Sequence, residues 1–256
     1  MSAYDPIARL YDPWSASVVE DVSFYVEEAL AAVAGSVAGQ ADEARPGNRA
    51  PGAPAGGLVV ELGVGTGRIA IPTALAGVHV IGVDSSRRML EVCAQRAREA
   101  GVESLLDLRL GDLRRPPVDE RVLLVTCPFR AYLHLRDDAQ RLQALRAARE
   151  LLRPGGRLVF DVFAPSREDV EETDGRWLER EPGIFERADW DLEARRLTLS
   201  VRGPQGASRM TLWWLEPERW HALLVEAGFV VEGCYGWFDR SPYSGGEDTI
   251  WVARRD

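Results

Sequence analysis

Residues 58–84 read LVVELGVGTGRIAIPTALAGVHVIGVD, a stretch in which an apolar run, a glycine-rich turn, a helical segment and a second apolar run follow one another. The first run, Leu58–Leu62, predicts a buried parallel strand because it is almost continuously apolar and rich in branched side chains. The second run ends in Asp84. Together these pieces predict one β-α-β unit, an arrangement that binds nucleotides at its first turn.

Three glycines, Gly63, Gly65 and Gly67, turn the chain directly after the first predicted strand. Without side chains, the backbone there can adopt unusual dihedral angles and a ligand can approach it closely. Thr66 is a candidate N-cap, which would leave free amide groups at the start of the next helix facing that ligand. Pro72 removes one helical hydrogen bond, so we expect a bent or broken helix at that point.

Arg68 occupies the sixth position of the G-x-G-x-x-G pattern, where dinucleotide-binding proteins carry glycine. This departure counts against a nicotinamide-dependent oxidoreductase. That class stays open as an alternative, because it shares the β-α-β unit and an acidic residue in the place of Asp84.

The composition is that of an ordinary globular chain and disfavours nucleic acid as a partner. The 256 residues are 46% hydrophobic and 28% charged, enough for one large α/β domain or two small ones. The 31 basic residues are all arginine, and 40 acidic residues give a net charge of -9. A protein of that charge repels a phosphate backbone.

The cysteines and the lengths of the apolar segments indicate in which cellular compartment the protein is located. Cys93, Cys127 and Cys234 are far apart and fit no metal-ligand spacing, so we expect buried free thiols in a reducing compartment and no bound metal. No apolar run approaches membrane-spanning length, and the N-terminus lacks a basic segment followed by an apolar one. We therefore predict a cytoplasmic protein without a membrane partner.

The first 57 residues differ in composition from the rest. The segment YDPIARLYDPW at 4–14 leads into a predicted helix, with Ser17 and Glu20 in capping-box relation and Gly35 at its end. Ala, Gly, Pro and charged residues dominate 38–57, which predicts a flexible linker. We thus predict an N-terminal helical flap at 1–37, a linker at 38–57 and one domain at 58–256.

Strands and helices alternate after Asp84, which predicts a doubly wound parallel sheet. Ser85 or Ser86 can cap a helix that reaches about Ala100. Polarity then alternates in short β-type runs at about 176–215, which predicts an antiparallel β insert. The other predicted elements are strands at 105–110 and 122–126, a helix at 137–152 closed by Pro154-Gly155-Gly156, a strand at 158–163, insert strands at 184–190, 197–201 and 210–215, a helix at 217–227, and strands at 229–235 and 249–253.

Four motifs together resemble those of the class I S-adenosylmethionine-dependent methyltransferases, and the resemblance covers nearly all of the chain from Leu58 onward. They are VELGVGTG at 60–67, GVD at 82–84 with Met89 beyond it, GDL at 111–113 and LLRPGG at 151–156. Each is common by chance, but all four in this order and spacing are specific. The resemblance implies a Rossmann-like methyltransferase fold, an α/β architecture with a doubly wound, mostly parallel seven-stranded sheet, and S-adenosyl-L-methionine as the cofactor.

The resemblance also implies a role for each matching residue. The glycine turn would approach the amino acid end of the cofactor, with Glu61 ordering the turn or accepting from the ammonium group. Asp84 would hold both ribose hydroxyls, Asp112 would accept from the adenine amino group, and Met89 would pack on the adenine ring. The predicted cofactor-binding residues are Tyr11, Glu61, Gly63, Gly65, Thr66, Gly67, Asp84, Ser85, Met89, Asp112, Leu113 and Cys127, the last in the turn at 126–129 near the sulfonium.

Within that superfamily, the tail YGWFDRSP at 235–242 and the N-terminal Tyr-Asp repeat look like those of bacterial small-molecule methyltransferases. These include N-methyltransferases that act on amino sugars and other natural products. In similar enzymes an N-terminal tyrosine closes over the cofactor, which makes Tyr11 and Tyr4 candidates for that role. A packing role for Tyr11 is the alternative.

No nucleophile-base pair stands out, so the catalytic residues stay open. His134 is either a general base near neutral pH or a hydrogen-bonded structural residue. Arg130 either steers an anionic substrate by bidentate pairing or lies on the surface. Tyr11 is the third candidate. In-line displacement from a sulfonium can proceed through alignment and water exclusion, which fits a site without such a pair.

The sequence therefore predicts an enzyme that transfers a methyl group from S-adenosyl-L-methionine to a nitrogen or oxygen of a small organic acceptor. A catalytically silent cofactor-binding homologue is an alternative beside the nicotinamide-dependent oxidoreductase. The insert, with exposed strand edges and tryptophans, could serve as the surface of a homodimer.

Overall fold

Two β-sheets organise the protein, whose computed structural model describes residues 2–16, 19–43 and 57–256. The strands are β1 (Leu58–Leu62), β2 (His79–Asp84), β3 (Leu106–Leu110), β4 (Val122–Cys127), β5 (Leu152–Phe163), β6 (Trp177–Glu181), β7 (Ile184–Asp191), β8 (Arg196–Gly203), β9 (Gly206–Trp213), β10 (Phe229–Tyr235) and β11 (Asp248–Arg255). A seven-stranded sheet has the order β10-β11-β5-β4-β1-β2-β3. It is parallel except at β11, which runs antiparallel to β5 and β10. The predicted mostly parallel seven-stranded sheet is confirmed.

Helices cover both faces of this sheet. The α-helices of the described residues are α1 (Tyr11–Trp14), α2 (Glu20–Glu43), α3 (Ala70–Leu75), α4 (Arg87–Glu99), α5 (Asp138–Leu151), α6 (Arg167–Thr173) and α7 (Pro217–Glu226), of which α1 and α6 pack against the insert. As predicted, serine caps α4: the Ser86 hydroxyl accepts from the Met89 amide. No helix in the described part of the chain is long and apolar enough to cross a membrane.

The two faces of the sheet carry separate apolar cores, which explains the continuous apolar sequence of β1. Successive side chains of a strand point to opposite faces. Val60 and Leu62 accordingly pack in one core with residues of α5 and α7, whereas Val59 packs in the other with Phe24 and Tyr25 of α2. A strand covered on both sides carries apolar residues on both faces, and in β1 only Glu61 departs from this pattern.

The helix after the glycine turn corrects two predictions. It begins only at Ala70, with no side-chain cap, so Thr66 is not its N-cap. The Thr66 hydroxyl donates instead to Asp12 Oδ1 at 2.5 Å. Pro72 therefore lies in the first turn of α3, where a missing amide hydrogen costs no helical bond, and the expected bend or break is absent.

The N-terminal helix also differs from its prediction. It continues through Gly35 to Glu43, so it crosses the predicted boundary at 37 and occupies the first residues of the predicted linker at 38–57. Ser17 of the predicted capping box and positions 44–56 lie outside the described residues.

The predicted antiparallel insert forms the second sheet, in the order β6-β7-β8-β9. β6 was absent from the prediction because its sequence, WLERE, carries three charges and little apolar pattern. The N-terminal segment 2–16 packs on the β8–β9 hairpin: a Cβ added to Gly203 would lie 2.8 Å from Leu10 Cδ1. The segment thereby lies between the insert and the carboxyl edge of the large sheet.

Candidate active site

A cavity of about 280 Å³ lies at the carboxyl ends of β1 and β2, where ligands bind in open α/β sheets. Its lining brings together eight of the predicted cofactor-binding residues from four separate parts of the chain. They are Tyr11, Gly63, Gly65, Asp84, Ser85, Met89, Asp112 and Leu113.

The glycine turn forms one wall with its backbone. Gly63 and Gly65 have φ angles of +77° and +54°, in the region where only glycine is unstrained. The Gly63 and Val64 amides both donate to the Val83 carbonyl, at 2.8 and 3.0 Å, which fixes the turn against β2. A Cβ added to Gly65 would meet nothing closer than Met89 Cε at 3.8 Å. It would occupy cavity space, so glycine here keeps the backbone accessible.

Asp84 ends β2 with its carboxylate oriented by backbone amides. Oδ2 accepts from the Gly65 amide at 2.9 Å and Oδ1 from the Ser86 amide at 2.7 Å. Each oxygen keeps lone pairs for further donors, so the group can hold two neighbouring hydroxyls. Burial raises the pKa of Asp84, and the hydrogen bonds from Ser86 and Gly65 oppose that rise.

Met89 and Asp112 give the cavity an apolar and an acidic side. Met89 is 2% exposed and reaches the cavity from the first turn of α4. Asp112 is half-buried, and its hydrogen bond from the Arg114 side chain lowers the pKa of its carboxyl. The neighbouring Leu113 lines the same end of the cavity.

Two further predicted cofactor-binding residues, Glu61 and Cys127, are absent from the cavity lining. Both are buried: Cys127 lies in the apolar core, and Glu61 interacts with the charges of Arg68, Asp21 and Asp84. Burial raises the pKa of Glu61 to about 8, with Arg68 opposing the rise. Burial also raises the pKa of the Cys127 thiol well above its usual range.

The glycine turn has a side that faces away from the cavity. Thr66 and Gly67, two more predicted residues that do not line it, lie there. Gly67 packs against α4 so closely that an added Cβ would lie 2.6 Å from Cys93 Sγ. Their contribution to the site is the shape of the turn.

The N-terminal segment closes over the cavity. The rings of Tyr4 and Tyr11 meet edge-on with centroids 5.8 Å apart, and Tyr11 meets Phe129 in the same way at 6.1 Å. Asp12 anchors the segment by accepting from Thr66 and, at 3.0 Å, from Arg96 of α4. Tyr11 thus lines the cavity and packs among aromatic neighbours, and its closing over the cofactor stays a prediction.

Removing the anchor should loosen this cover. We expect Asp12→Ala to raise the dissociation rate of bound S-adenosylhomocysteine by roughly tenfold, since losing a charge-assisted contact of this kind costs about 1–2 kcal/mol. Stopped-flow displacement measures that rate, and Asp119→Ala, an exposed acid outside the cavity lining, is the control. An unchanged rate would show that the segment does not retain the ligand.

His134 lies between Tyr4 and the insert. Its Nε2 is 2.9 Å from the Tyr4 hydroxyl. Burial lowers the pKa of the imidazole to about 4, so the ring is neutral near pH 7 and a poor proton acceptor. Of the two alternatives for His134, this arrangement favours the hydrogen-bonded structural residue.

A second cavity, of about 450 Å³, lies between the large sheet and the insert. Tyr4, Phe129 and His134 line both cavities. One side comes from the insert and is mostly apolar, with Ala188, Trp190, Leu197, Leu199, Met210 and Leu212, and it also carries the ion pair of Arg180 with Glu186. The rest of the lining includes Arg130 and the carboxyl groups of Glu20, Asp21, Asp161, Asp169, Glu247 and Asp248.

Arg130 lines this second cavity but is paired. Its guanidinium contacts Asp248 at 2.9 Å and lies 4.6 Å from the centroid of the Phe163 ring. The contact with Asp248 weakens the prediction that Arg130 steers an anionic substrate. All three cysteines are free thiols; Cys93 and Cys127 are buried as predicted, whereas Cys234 is only half-buried. Within the described ranges, no three His, Cys, Asp or Glu side chains are grouped so as to hold a metal ion.

Sequence reasoning missed three residues that shape the site: Arg68, Asp21 and Asp161. Arg68 forms two hydrogen bonds with the buried Asp21 of α2, at 2.6 and 2.5 Å, and lies 4.4 Å from the centroid of the Phe129 ring. Arg68 thereby links the glycine turn to Phe129, which lines both cavities, and to Asp21, which lines the second. The signal for Asp161 was available, because it is the one acid in the apolar run LVFDVF and a buried strand carries an acid only where the acid has partners.

Known proteins share both the motifs and the fold. A family model described as a methyltransferase domain matches residues 59–156. The cypemycin N-terminal methyltransferase of a Streptomyces species is 28% identical over 202 residues, 74% of this chain and 79% of that protein. The structure of the CcbJ methyltransferase from Streptomyces caelestis has a TM-score of 0.77 and 25% identity, covering 100% of this chain and 98% of that one. The glycopeptide N-methyltransferase MtfA, complexed with S-adenosyl-L-methionine, has a TM-score of 0.55 and 22% identity, covering 86% and 93%.

Proposed function

We propose that the chain is a class I S-adenosylmethionine-dependent methyltransferase and that it methylates a nitrogen of a small amine related to bacterial natural products. The observation that carries this proposal is the second cavity, where carboxyl groups outnumber the guanidinium groups of Arg130 and Arg180 and adjoin the apolar side chains of the insert. A cationic amine with an apolar body matches both sides. One of the similar proteins, MtfA, is named as an N-methyltransferase, which supports nitrogen over oxygen.

The residues of the first cavity fit the cofactor. Asp84 offers two oriented oxygens for a pair of ribose hydroxyls, and Gly65 keeps space open beside Met89. In this proposal Asp112 and Leu113 hold the adenine, Met89 packs on its ring, and the turn at Gly63 lies along the amino acid end. The bound cofactor supplies a methyl group activated by its sulfonium.

The chain's own residues align the acceptor and exclude water. Tyr4, Phe129 and His134 belong to both cavities, so a ligand in one is in contact with the wall of the other. Placing two reactants at one shared wall gives the alignment that displacement at a methyl group needs. The aromatic cluster of the buried Tyr11 with the half-buried Tyr4 and Phe129 shields this wall from solvent.

An amine attacks only in its unprotonated form, so a residue must take its proton. Glu247 lines the second cavity, and burial together with its hydrogen bond to Asp169 raises the pKa of its carboxyl to about 7. We propose that the Glu247 carboxylate receives this proton. Its ionised form, present above about pH 7, is the active one.

Glu247→Gln should therefore lower kcat/KM for the amine by roughly tenfold near pH 8, since the variant loses a charge contact and a proton acceptor. In the wild type kcat/KM should rise as the pH passes through about 7, and in the variant that rise should be absent. Steady-state kinetics across pH measure both. Glu232→Gln is the matched control, because Glu232 is paired with Arg157 and Arg254 outside the cavity lining. Equal profiles for the two variants would contradict the role of Glu247.

The test of the proposed function is mass spectrometry of the protein with S-adenosyl-L-methionine and a panel of primary and secondary amines, phenols and sugars. We expect the amines to gain one methyl group, with S-adenosylhomocysteine formed in equal amount. A gain confined to phenols or sugar hydroxyls would overturn the choice of nitrogen. Cofactor binding without transfer to any member would favour the catalytically silent homologue.

A further inference from the structure

Asp161 is a buried acid near the end of β5, with 4% of its surface exposed. Its carboxylate accepts three hydrogen bonds. Oδ1 accepts from the Tyr25 hydroxyl at 2.6 Å and from the Phe129 amide at 2.8 Å, and Oδ2 accepts from the Arg130 amide at 3.1 Å. One side chain thus joins β5, α2 and the turn after β4.

The turn held by Asp161 is strained. Phe129 and Arg130 have φ angles of +55° and +64°. Two successive residues with side chains rarely adopt this left-handed region, and they keep it only where neighbouring groups hold them there. The hydrogen bonds from both amides to one carboxylate supply that hold.

The turn directs two side chains to different places. Phe129 lines both cavities and packs beside Arg68 and Tyr11. Arg130 lines only the second, where it contacts Asp248. The conformation of this turn therefore fixes part of the wall between the two cavities.

We infer that Asp161 is a positioning residue, whose carboxylate holds the turn at Phe129 and Arg130 in the shape that forms the wall shared by both cavities. The inference rests on the proposed function only where it treats the first cavity as the seat of the cofactor. Asp161 acts by holding the turn and is not proposed to contact the reacting atoms.

The charge of Asp161 gives this role a measurable signature. Burial raises the pKa of its carboxyl to about 6, and the Tyr25 hydrogen bond opposes that rise. Asp21 also raises this pKa and Arg130 lowers it, and the guanidinium of Arg68 and the thiol of Cys127 interact with the same carboxyl group. Below about pH 6 the protonated acid has one strong acceptor oxygen in place of two, so it resembles an amide.

The test is calorimetry of S-adenosylhomocysteine binding to the wild type and to Asp161→Asn from about pH 5 to 8. Near pH 7.5 we expect the variant to bind about tenfold more weakly, because its amide nitrogen faces the Arg130 amide without accepting from it. The ratio of the two dissociation constants should fall toward one as the pH drops through about 6. Taking the ratio cancels the titration of Asp84, which lines the same cavity.

Tyr25→Phe is the second variant. It leaves both amide contacts of the turn in place and removes the hydrogen bond that lowers the pKa of Asp161. The pH midpoint of binding should therefore move upward. If thermal unfolding shows that Asp161→Asn does not fold, the upward shift of the pH midpoint in Tyr25→Phe alone tests the inference.

A folded Asp161→Asn that binds within about twofold of the wild type near pH 7.5 would overturn the inference, as would a ratio that is constant with pH or a midpoint that Tyr25→Phe leaves unmoved. A purely structural role would lower the unfolding temperature of both variants without moving the midpoint. Binding of S-adenosylhomocysteine requires no acceptor. A failure of the amine proposal would therefore leave these results unchanged.

Discussion

Asp84→Ala is expected to raise the dissociation constant of S-adenosylhomocysteine by roughly 10- to 100-fold, since charge-assisted hydrogen bonds of a buried carboxylate contribute about 1.5–3 kcal/mol. The loss has two sources. The ribose hydroxyls lose their acceptor, and the Gly65 and Ser86 amides lose the carboxylate that orients them, at 2.9 and 2.7 Å.

Calorimetry at neutral pH measures this change, and Asp107→Asn is its control. Asp107 lies on the neighbouring strand β3, and its side chain is 56% exposed and paired with Arg109. Its loss of charge should leave the affinity unchanged. An Asp84→Ala protein that is folded and binds as tightly as the wild type would show that the carboxylate does not contact the ligand.

Gly67→Ala should destabilise the fold strongly, lowering the free energy of unfolding by about 3 kcal/mol. The residue has a φ of +83°, and an added Cβ would lie 2.6 Å from Cys93 Sγ and 2.9 Å from Ile71 Cδ1. Backbone strain and overpacking therefore act at the same position. Urea denaturation measures the change in unfolding free energy.

Gly77→Ala separates these two causes. Gly77 has a similar φ of +87°, but nothing lies within 4 Å of an added Cβ. It should cost only the backbone strain, about 1 kcal/mol. Equal losses in the two variants would mean that the contact between the glycine turn and α4 relaxes freely, contrary to the tight packing described here.

Local sequence patterns were sufficient for the sheet and the main binding motif. Continuous apolar runs predicted the strands covered on both faces, as at β1, and the glycines after β1 predicted the accessible turn. Asp84 and Met89, two of the predicted cofactor-binding residues, line the cavity because Asp84 ends β2 and Met89 lies in the first turn of α4. These are properties of ten or fifteen neighbouring residues.

The parts that escaped prediction depend on distant partners. Thr66 is no helix cap because its hydroxyl binds Asp12, 54 positions away. In the sequence, Arg68 indicated only that a dinucleotide site is disfavoured. Its hydrogen bonds to Asp21 were missed because Asp21 is 47 positions away. Asp161 and Tyr25 are separated by 136 positions. No local pattern reports such contacts.

Three predictions are not tested by the structure or by the similar proteins. The homodimer surface on the insert and the cytoplasmic location stay predictions. The division of the chain at 1–37, 38–57 and 58–256 stays one too, with α2 extending across its first boundary.

Calorimetry of the wild-type protein with S-adenosylhomocysteine and with NAD tests the central claim most directly. The cavity walled by Gly63, Gly65 and Asp84 should bind S-adenosylhomocysteine at one site per chain and give no saturable heat with NAD. Tight binding of NAD without binding of S-adenosylhomocysteine would contradict the account.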